Sequence, residues 1–353
     1  MTDEELLEKF QPQPGGTLEH SRQLFQARFS PCGKYLFAPG YDALVHRWDV
    51  SGGAPAAMPA LAGHHAWVQA LAFAPTSDLV YSADSWGRVA AHRCAEQQAA
   101  AVWSNDAAHP GWIRALAVSP NGEMLATAGN EPVVRLWSAA DGKPLGELLG
   151  HAKILFSLAF HPDGKSLVTG DLYGKLRDWD LESRKVVREL DASSLYQFDK
   201  IQECGGARHL AFNADGTRLL CAGQKTPGGG FAVGLPCVLM YDWAAGTQLQ
   251  EMQFGANDEG FVYDARFHPA GFIMAASCAF PGKGQLWFWQ PGSDKPFYVG
   301  KDLPNGRSVS LHPDGQRLAY LVCISQNQNG RGAPGEAYAG GSAKIHLLRV
   351  NAA

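Results

Sequence analysis

The sequence predicts an all-β protein, a closed ring of seven four-stranded antiparallel sheets, and three observations carry that expectation. The first is a large apolar residue that ends a short apolar run seven times: Phe29, Phe73, Val118, Phe160, Phe212, Phe267 and Leu311, spaced by 44, 45, 42, 52, 55 and 44 residues. The second is the turn that follows each of them, always of the same length: SPCG, APTS, SPNG, HPDG, NADG, HPAG and HPDG. The third is composition, since 40 glycines with 18% charged and 46% hydrophobic residues suit a turn-rich β protein and argue against disorder. Strands this short cannot bury their faces alone, so neighbouring units must cover one another, and a radial array does this with few exposed edges.

The unit is clearest from Gly150 to Asp180. ILFSLAF and SLVTG read as short strands, HPDG joins them in a tight turn, and YGK introduces a third strand, KLRDW. Ahead of the repeats, Thr2 and Glu5 have the spacing of a capping box, and Leu6, Leu7 and Phe10 fall on one stripe of a short helix that would pack on the rim. In residues 11–20 two prolines and two glycines precede TLE, which sits where the outer strand of an earlier unit would fall. The seventh unit, conversely, ends at its third strand, AKIHLLRV. Pairing of Thr17–Glu19 with Lys344–Val350 is therefore expected to complete the last blade and close the ring. This divides the chain into an acidic N-terminal segment, residues 1–13, and a single ring over residues 14–353, because seven units use up the 353 residues.

The units also keep remnants of a Gly-His before the first strand and a Trp-Asp at the end of the third. Gly63-His64 and Gly150-His151 retain the former, with histidine alone at His20 and His109; Trp48-Asp49 and Trp179-Asp180 retain the latter, with Trp137-Ser138 and Tyr241-Asp242 as variants. Each of His20, His64, His109 and His151 lies 28 residues before its closing position. In these features the chain resembles the WD-repeat (WD40) family over roughly residues 14–350. The resemblance implies a seven-bladed β-propeller of four-stranded antiparallel blades, closed by the N-terminal strand. It also implies that a His, a Ser or Thr, an Asp and a Trp can join in a hydrogen-bonded tetrad within a blade. Aligned this way, no blade has all four. Blade one offers His20, Asp42 and Trp48 with Ala38 at the hydroxyl position; blade three has Glu131 at the acid position beside His109, Thr127 and Trp137; blade four has Tyr173 there beside His151, Thr169 and Trp179.

Several function classes are disfavoured by composition and motif. A net charge of −4 offers no broad electrostatic attraction to nucleic acid or an anionic membrane. MTDEELLEKF lacks the cationic start and apolar core of a signal peptide, and no apolar run approaches the ~20 residues of a membrane span, so a cytoplasmic location is expected. The seven cysteines include no C-x-x-C pair and read as buried reduced thiols. Gly170–Lys175 lacks the spacing and the Ser or Thr of a phosphate loop, and Gly228-Gly229-Gly230 offers at most a lid element. His161, His268 and His312 recur at one turn position, and His64 and His65 point apart, so no metal or other cofactor is expected.

What remains is a binding surface. In the family that the chain resembles, the loops between strands two and three and between blades share one face. The long insertions fall in those loops: Asp191–Gly206, Gln224–Pro236, Gly255–Gly260 and Gln326–Ser342. Elaborated loops on a rigid scaffold are common places for binding. The same face receives the first residues of the inner strands and the two-to-three turns, which place Phe25, Tyr41, Trp67, Gln69, Trp86, Trp112, Arg114, Phe156, Tyr173, Arg208, Phe261, Tyr263 and Arg307 around the pore mouth. Aromatic and arginine side chains are the composition of protein-binding hot spots. The expected activity is a non-enzymatic scaffold, a monomeric propeller within a larger assembly, that takes a protein or peptide. Arg114, Arg208 and Arg307 point to acidic groups on it, with Asp42, Asp84, Asp171 and Asp264 as possible counter-charges. The alternative is a propeller enzyme of lactonase or hydrolase type with its site in the pore mouth.

Overall fold

The apolar residue that marks each repeat closes the innermost strand of a sheet. A computed structural model describes residues 1–97, 100–199, 201–225, 234–279, 282–324 and 341–350. Its inner strands are Arg28–Phe29, Val68–Phe73, Ile113–Val118, Leu155–Phe160, His209–Phe212, Phe261–Phe267 and Gly306–Leu311. Each begins an antiparallel sheet of four strands in which consecutive strands are neighbours; the exception is the last, where Pro12–His20 lies outside Ser342–Val350. There Thr17 faces His346, Leu18 faces Ile345 and Glu19 faces Lys344. The turns that join first and second strands are tight because, outside blade two, their fourth residue is a glycine in the left-handed conformation: φ is 73° at both Gly164 and Gly315. Gly164 N–H donates to the His161 carbonyl at 2.9 Å, which closes the loop.

Packing between blades supplies the core. Ala126, Val134 and Leu136 of blade three meet Leu158, Leu167 and Trp179 of blade four, and comparable clusters join other neighbours. Ahead of the ring, Asp3–Phe10 is a helix with a reciprocal Thr2–Glu5 capping box. It seats Leu6 and Phe10 among Phe272, Phe288 and Phe297. No helix among the described residues is long and apolar enough to cross a membrane.

The tetrads differ from the sequence expectation. Blade four is complete: Trp179 Nε1–H donates to Thr169 Oγ1 at 2.8 Å, Thr169 lies 2.6 Å from His151 Nε2, and His151 Nδ1 lies 2.8 Å from Asp171. The acid is Asp171, not Tyr173, because residues two apart on a strand share a face, and Asp171 stands two beyond Thr169. With Nδ1–H donating to the carboxylate and the threonine hydroxyl donating to Nε2, every member is satisfied. Blade two keeps His64, Ser82 and Asp84, with contacts of 2.7 and 2.9 Å, and has His92 at the closing position. Blade three keeps His109, Thr127 and Trp137, and Glu131 reaches His109 Nδ1 at 3.2 Å from two residues further along. Thr169→Val is expected to destabilise the protein by about 3 kcal/mol, because the buried His151 and Trp179 both lose their partner. Urea unfolding would measure this, and a loss below about 1 kcal/mol would refute the bracing role.

The thiols need one correction. Most are buried and all are free, but Cys32 is exposed in the first turn. It stands third in SPCG, at the hairpin tip, with its Sγ 3.2 Å from Ser30 Oγ.

Candidate functional site

Two residues apart on an inner strand means one face, and the strand starts put that face toward the axis. A channel of about 860 Å³ runs down the axis. Phe25, Tyr41, Trp67, Gln69, Trp112, Arg114, Phe156, Arg208, Tyr263 and Arg307 line it, so most of the residues placed at the mouth from sequence come together. Three of the sequence candidates are outside the lining. Trp86 is 68% exposed on a two-to-three turn whose backbone N–H is held by Asp84 Oδ1 at 2.9 Å. Tyr173 packs edge-on to Tyr196, 5.0 Å between centroids, with the Lys153 ammonium 5.0 Å from its ring. Phe261 sits just behind, 4.7 Å beneath the Arg208 guanidinium.

The mouth is a continuous circuit of ring and guanidinium contacts. Phe25 and Tyr41 stack 4.2 Å apart with planes 6° from parallel. Tyr41 meets Trp67 at 4.9 Å, and Trp67 meets Trp112 at 5.7 Å. Arg114 lies 4.7 Å from Trp112 and 5.3 Å from Phe156. Arg208 covers Phe156 at 3.7 Å and so links it to Phe261, which touches Tyr263 at 5.7 Å. Arg307 then joins Tyr263, at 4.9 Å, back to Phe25, at 5.6 Å, so all seven blades contribute. Such contacts are worth about 0.5–2 kcal/mol each and hold flat side chains in place before anything binds.

The charge at the mouth is one-sided. Arg114 donates to Asn130 at 2.8 Å, Arg208 to the Gly205 carbonyl at 2.8 Å, and Arg307 to the Tyr41 hydroxyl at 3.3 Å. Among the described residues none of the three forms an ion pair with a carboxylate. Burial, and then the neighbouring Arg208 charge, lowers the Arg114 guanidinium to about 10, so it still carries its charge at neutral pH. Three of the carboxylates weighed against these arginines are committed elsewhere. Asp84 and Asp171 serve the tetrad histidines, and Asp42 pairs with His46 at 2.9 Å.

A second layer went unread in the sequence. Arg28 and Arg266 line the channel below the mouth, and the buried Asp264 lies between them, 2.6 Å from Arg28 Nη1 and 3.1 Å from Arg266 Nε. The Asp-Ala-Arg of the sixth inner strand was the available signal, because it puts an acid and a base on one face. A hairpin, Tyr196–Asp199 with Gln202–Gly205, fills the first long insertion and carries Phe198 (62% exposed) and Ile201 (87%). It is anchored by Glu203, 2.8 Å from Lys153. In the Gly255–Gly260 insertion, Asp258 pairs with Lys283 and Gly260 N–H donates to the Gly234 carbonyl. The insertions at 226–233 and 326–340, with the Gly228-Gly229-Gly230 run, lie outside the described residues.

Comparison with known proteins places the repeats. A family model described as the anaphase-promoting complex subunit 4 WD40 domain matches residues 71–155, and the WD domain, G-beta repeat model matches residues 142–180. Nuclear distribution protein nudF of Aspergillus terreus is 32% identical over 149 residues, which is 42% of this chain and 27% of that protein. Nuclear distribution protein PAC1 of Arthroderma otae is 29% identical over 167 residues, 45% of this chain and 30% of that protein. Telomerase protein component 1 of Rattus norvegicus is 28% identical over 196 residues, 56% of this chain and 6% of that protein. The matched regions thus span less than a third of the length of these relatives.

Proposed function

We propose that this chain, a member of the WD-repeat propeller family, is a non-enzymatic scaffold that holds an acidic segment of another protein in its channel mouth. The observation that carries this reading is the closed aromatic and guanidinium circuit, in which Arg114, Arg208 and Arg307 have no carboxylate partner among the described residues. Rigid rings supply contact area with few rotors to freeze, and an unpaired guanidinium supplies a planar fork for a carboxylate. The exposed Phe198 and Ile201 beside the mouth extend the surface available to a folded partner. Two matched names, a subunit of the anaphase-promoting complex and a telomerase component, belong to members of larger assemblies, which supports the same role here. The enzyme alternative is less well served: Asp264, the carboxylate behind the lining, is held by two guanidiniums as an ion-pair member and not as a proton carrier.

The test is a variant with Trp67, Trp112 and Arg114 all changed to alanine. Anchors of this kind contribute ~2 kcal/mol or more each, so recovery of co-purifying partners should fall at least about tenfold. A glutamate-rich peptide should bind the wild type with an affinity that drops as salt rises, and a lysine-rich peptide should not bind. Unchanged recovery from the triple variant, together with indifference to peptide charge, would refute the reading.

A further inference from the structure

The structure assigns a transition-metal site, outside the channel, to His20, Asp42 and His46 at the seam between the N-terminal strand and blade one. One ligating atom from each of the three lies within 4.8 Å of the others. Asp42 Oδ2 is 2.9 Å from His46 Nε2, and the His20 and His46 rings lie 4.0 Å apart. Two nitrogens and one carboxylate oxygen, partly open to solvent, form a donor set that suits Zn²⁺ with water as a fourth ligand. They are too few and too nitrogen-rich for Ca²⁺ or Mg²⁺.

Comparison between blades shows why this histidine is different. In blades two and four the residue 18 positions after the histidine is a hydroxyl and the residue 20 after it is an aspartate, and both hold the ring. In blade one those positions are Ala38 and Gly40, so His20 has neither partner. Glycine at position 40 is what admits the other carboxylate: a Cβ there would stand 2.6 Å from Asp42 Oδ1. That oxygen is buried and has no hydrogen-bond partner among the described residues. Burying a carboxylate oxygen without a partner is costly, and a cation removes the cost.

Blade three uses the same two positions for an ion pair. Glu131 and Arg135 stand there 22 and 26 residues after His109, and the Arg135 guanidinium lies 2.7 Å from His109 Nδ1. In blade one the counterparts are Asp42 and His46, an acid and an imidazole. The fixed positive charge of blade three is thereby replaced by a ligand, and the balancing charge comes from a bound ion. His20 Nδ1 faces the Arg22 backbone, 3.1 Å from its carbonyl and 3.2 Å from its N–H, and this contact orients the ring and leaves Nε2 as the nitrogen for a metal. Ligands about 2.0 Å from zinc stand roughly 3.4 Å apart, so small rotamer changes close the site.

The placement gives the ion a structural role. His20 ends the strand that pairs with Ser342–Val350, whereas Asp42 and His46 belong to blade one, so zinc ties the closing strand to the first blade. The experiment uses the full chain, dialysed against chelator and titrated with ZnCl₂ alone. One Zn²⁺ per chain should bind with a dissociation constant of about 10 µM or tighter, and the melting temperature should rise by several degrees. His46→Gln should weaken binding at least about a hundredfold and abolish the thermal shift. Co²⁺ added to the wild type should give the visible absorption of a tetrahedral nitrogen and oxygen site, without the thiolate charge-transfer band that Cys32 would produce. That measurement stands even if the variant fails to fold. Absence of stoichiometric binding, a thiolate band, or affinity unchanged in a folded His46→Gln protein would overturn the assignment.

Discussion

Deletion of residues 1–20 should lower the melting temperature by on the order of 10 °C, the largest thermal effect expected of a change outside the ring's interior. Two contributions add. Leu6 and Phe10 are almost fully buried, and Phe10 packs 5.0 Å from Phe272 and 5.0 Å from His268. Returning both to water costs about 1.5–3 kcal/mol apiece. The second contribution is the strand itself. Without Pro12–His20, the backbone of Ser342–Val350 becomes an edge, and Leu18 no longer covers Ala343 and Ile345. The long strand Ser342–Val350, once unpaired on its outer side, also invites pairing between molecules, so aggregation should accompany the loss. Deleting residues 1–11 alone removes the helix and keeps the strand, and should recover roughly half of the difference. Scanning calorimetry of both truncations separates the contributions. A melting temperature unchanged by the longer deletion would show that the N-terminal pairing adds nothing to stability.

The repeat was legible because its signal is redundant. A large apolar residue followed by a four-residue turn recurs seven times, so the loss of Trp-Asp from blades five to seven did not hide the strand ends at Phe212, Phe267 and Leu311. The mouth was legible for a related reason: strand direction and period two decide which side chains face the axis, and these hold from Phe25 to Arg307. Contacts that depend on distance between blades were not. Asp42, Asp84 and Asp171 lie near the arginines as Asp264 does, yet each is bound by a histidine of its own blade, whereas Asp264 is held by Arg28 from blade one as well as by Arg266. In blade one the acid lies 22 residues after the histidine, and the same count in blade four falls on Tyr173, two residues past Asp171. Blade one is the divergent one, with Gly40 at the position that Asp84 and Asp171 fill. The trio His20, Asp42 and His46 escaped for the same reason. His20 was assigned to a tetrad, and His46 has no counterpart histidine in other blades that would have drawn attention to it.

The substitution with the largest expected effect is Asp264→Ala, which should cost about 3–5 kcal/mol and leave a protein near the limit of folding. Asp264 is fully buried and accepts from Arg28, Arg266 and the Val309 backbone N–H, the last at 2.9 Å. His209 lies 3.3 Å away, and burial lowers it to about 4, so it is neutral at pH 7 and does not balance the charge. Removal of the carboxylate therefore strands two guanidiniums, of which Arg28 is the less exposed, at 13%. Asp264→Asn preserves shape and an acceptor for Val309 but removes the charge, so it should recover only part of the loss. The acid limb of stability provides a second readout. Burial alone would raise this carboxyl, but Arg266 and Arg28 outweigh it and hold it at about 2, below the ~3.9 of an unfolded aspartate. A depressed folded value means that the ion pair's contribution is present above about pH 4 and is lost as pH falls toward 2. The asparagine variant should accordingly show a flatter stability profile between about pH 4 and pH 2 than the wild type. Function should respond with the opposite sign. With Asp264 neutralised, Arg28 and Arg266 join the arginines of the mouth as unpaired charges, so a glutamate-rich peptide that reaches the second layer should bind more tightly while the fold weakens. An affinity unchanged by Asp264→Asn would confine the acidic ligand to the mouth, where Arg114, Arg208 and Arg307 alone would hold it.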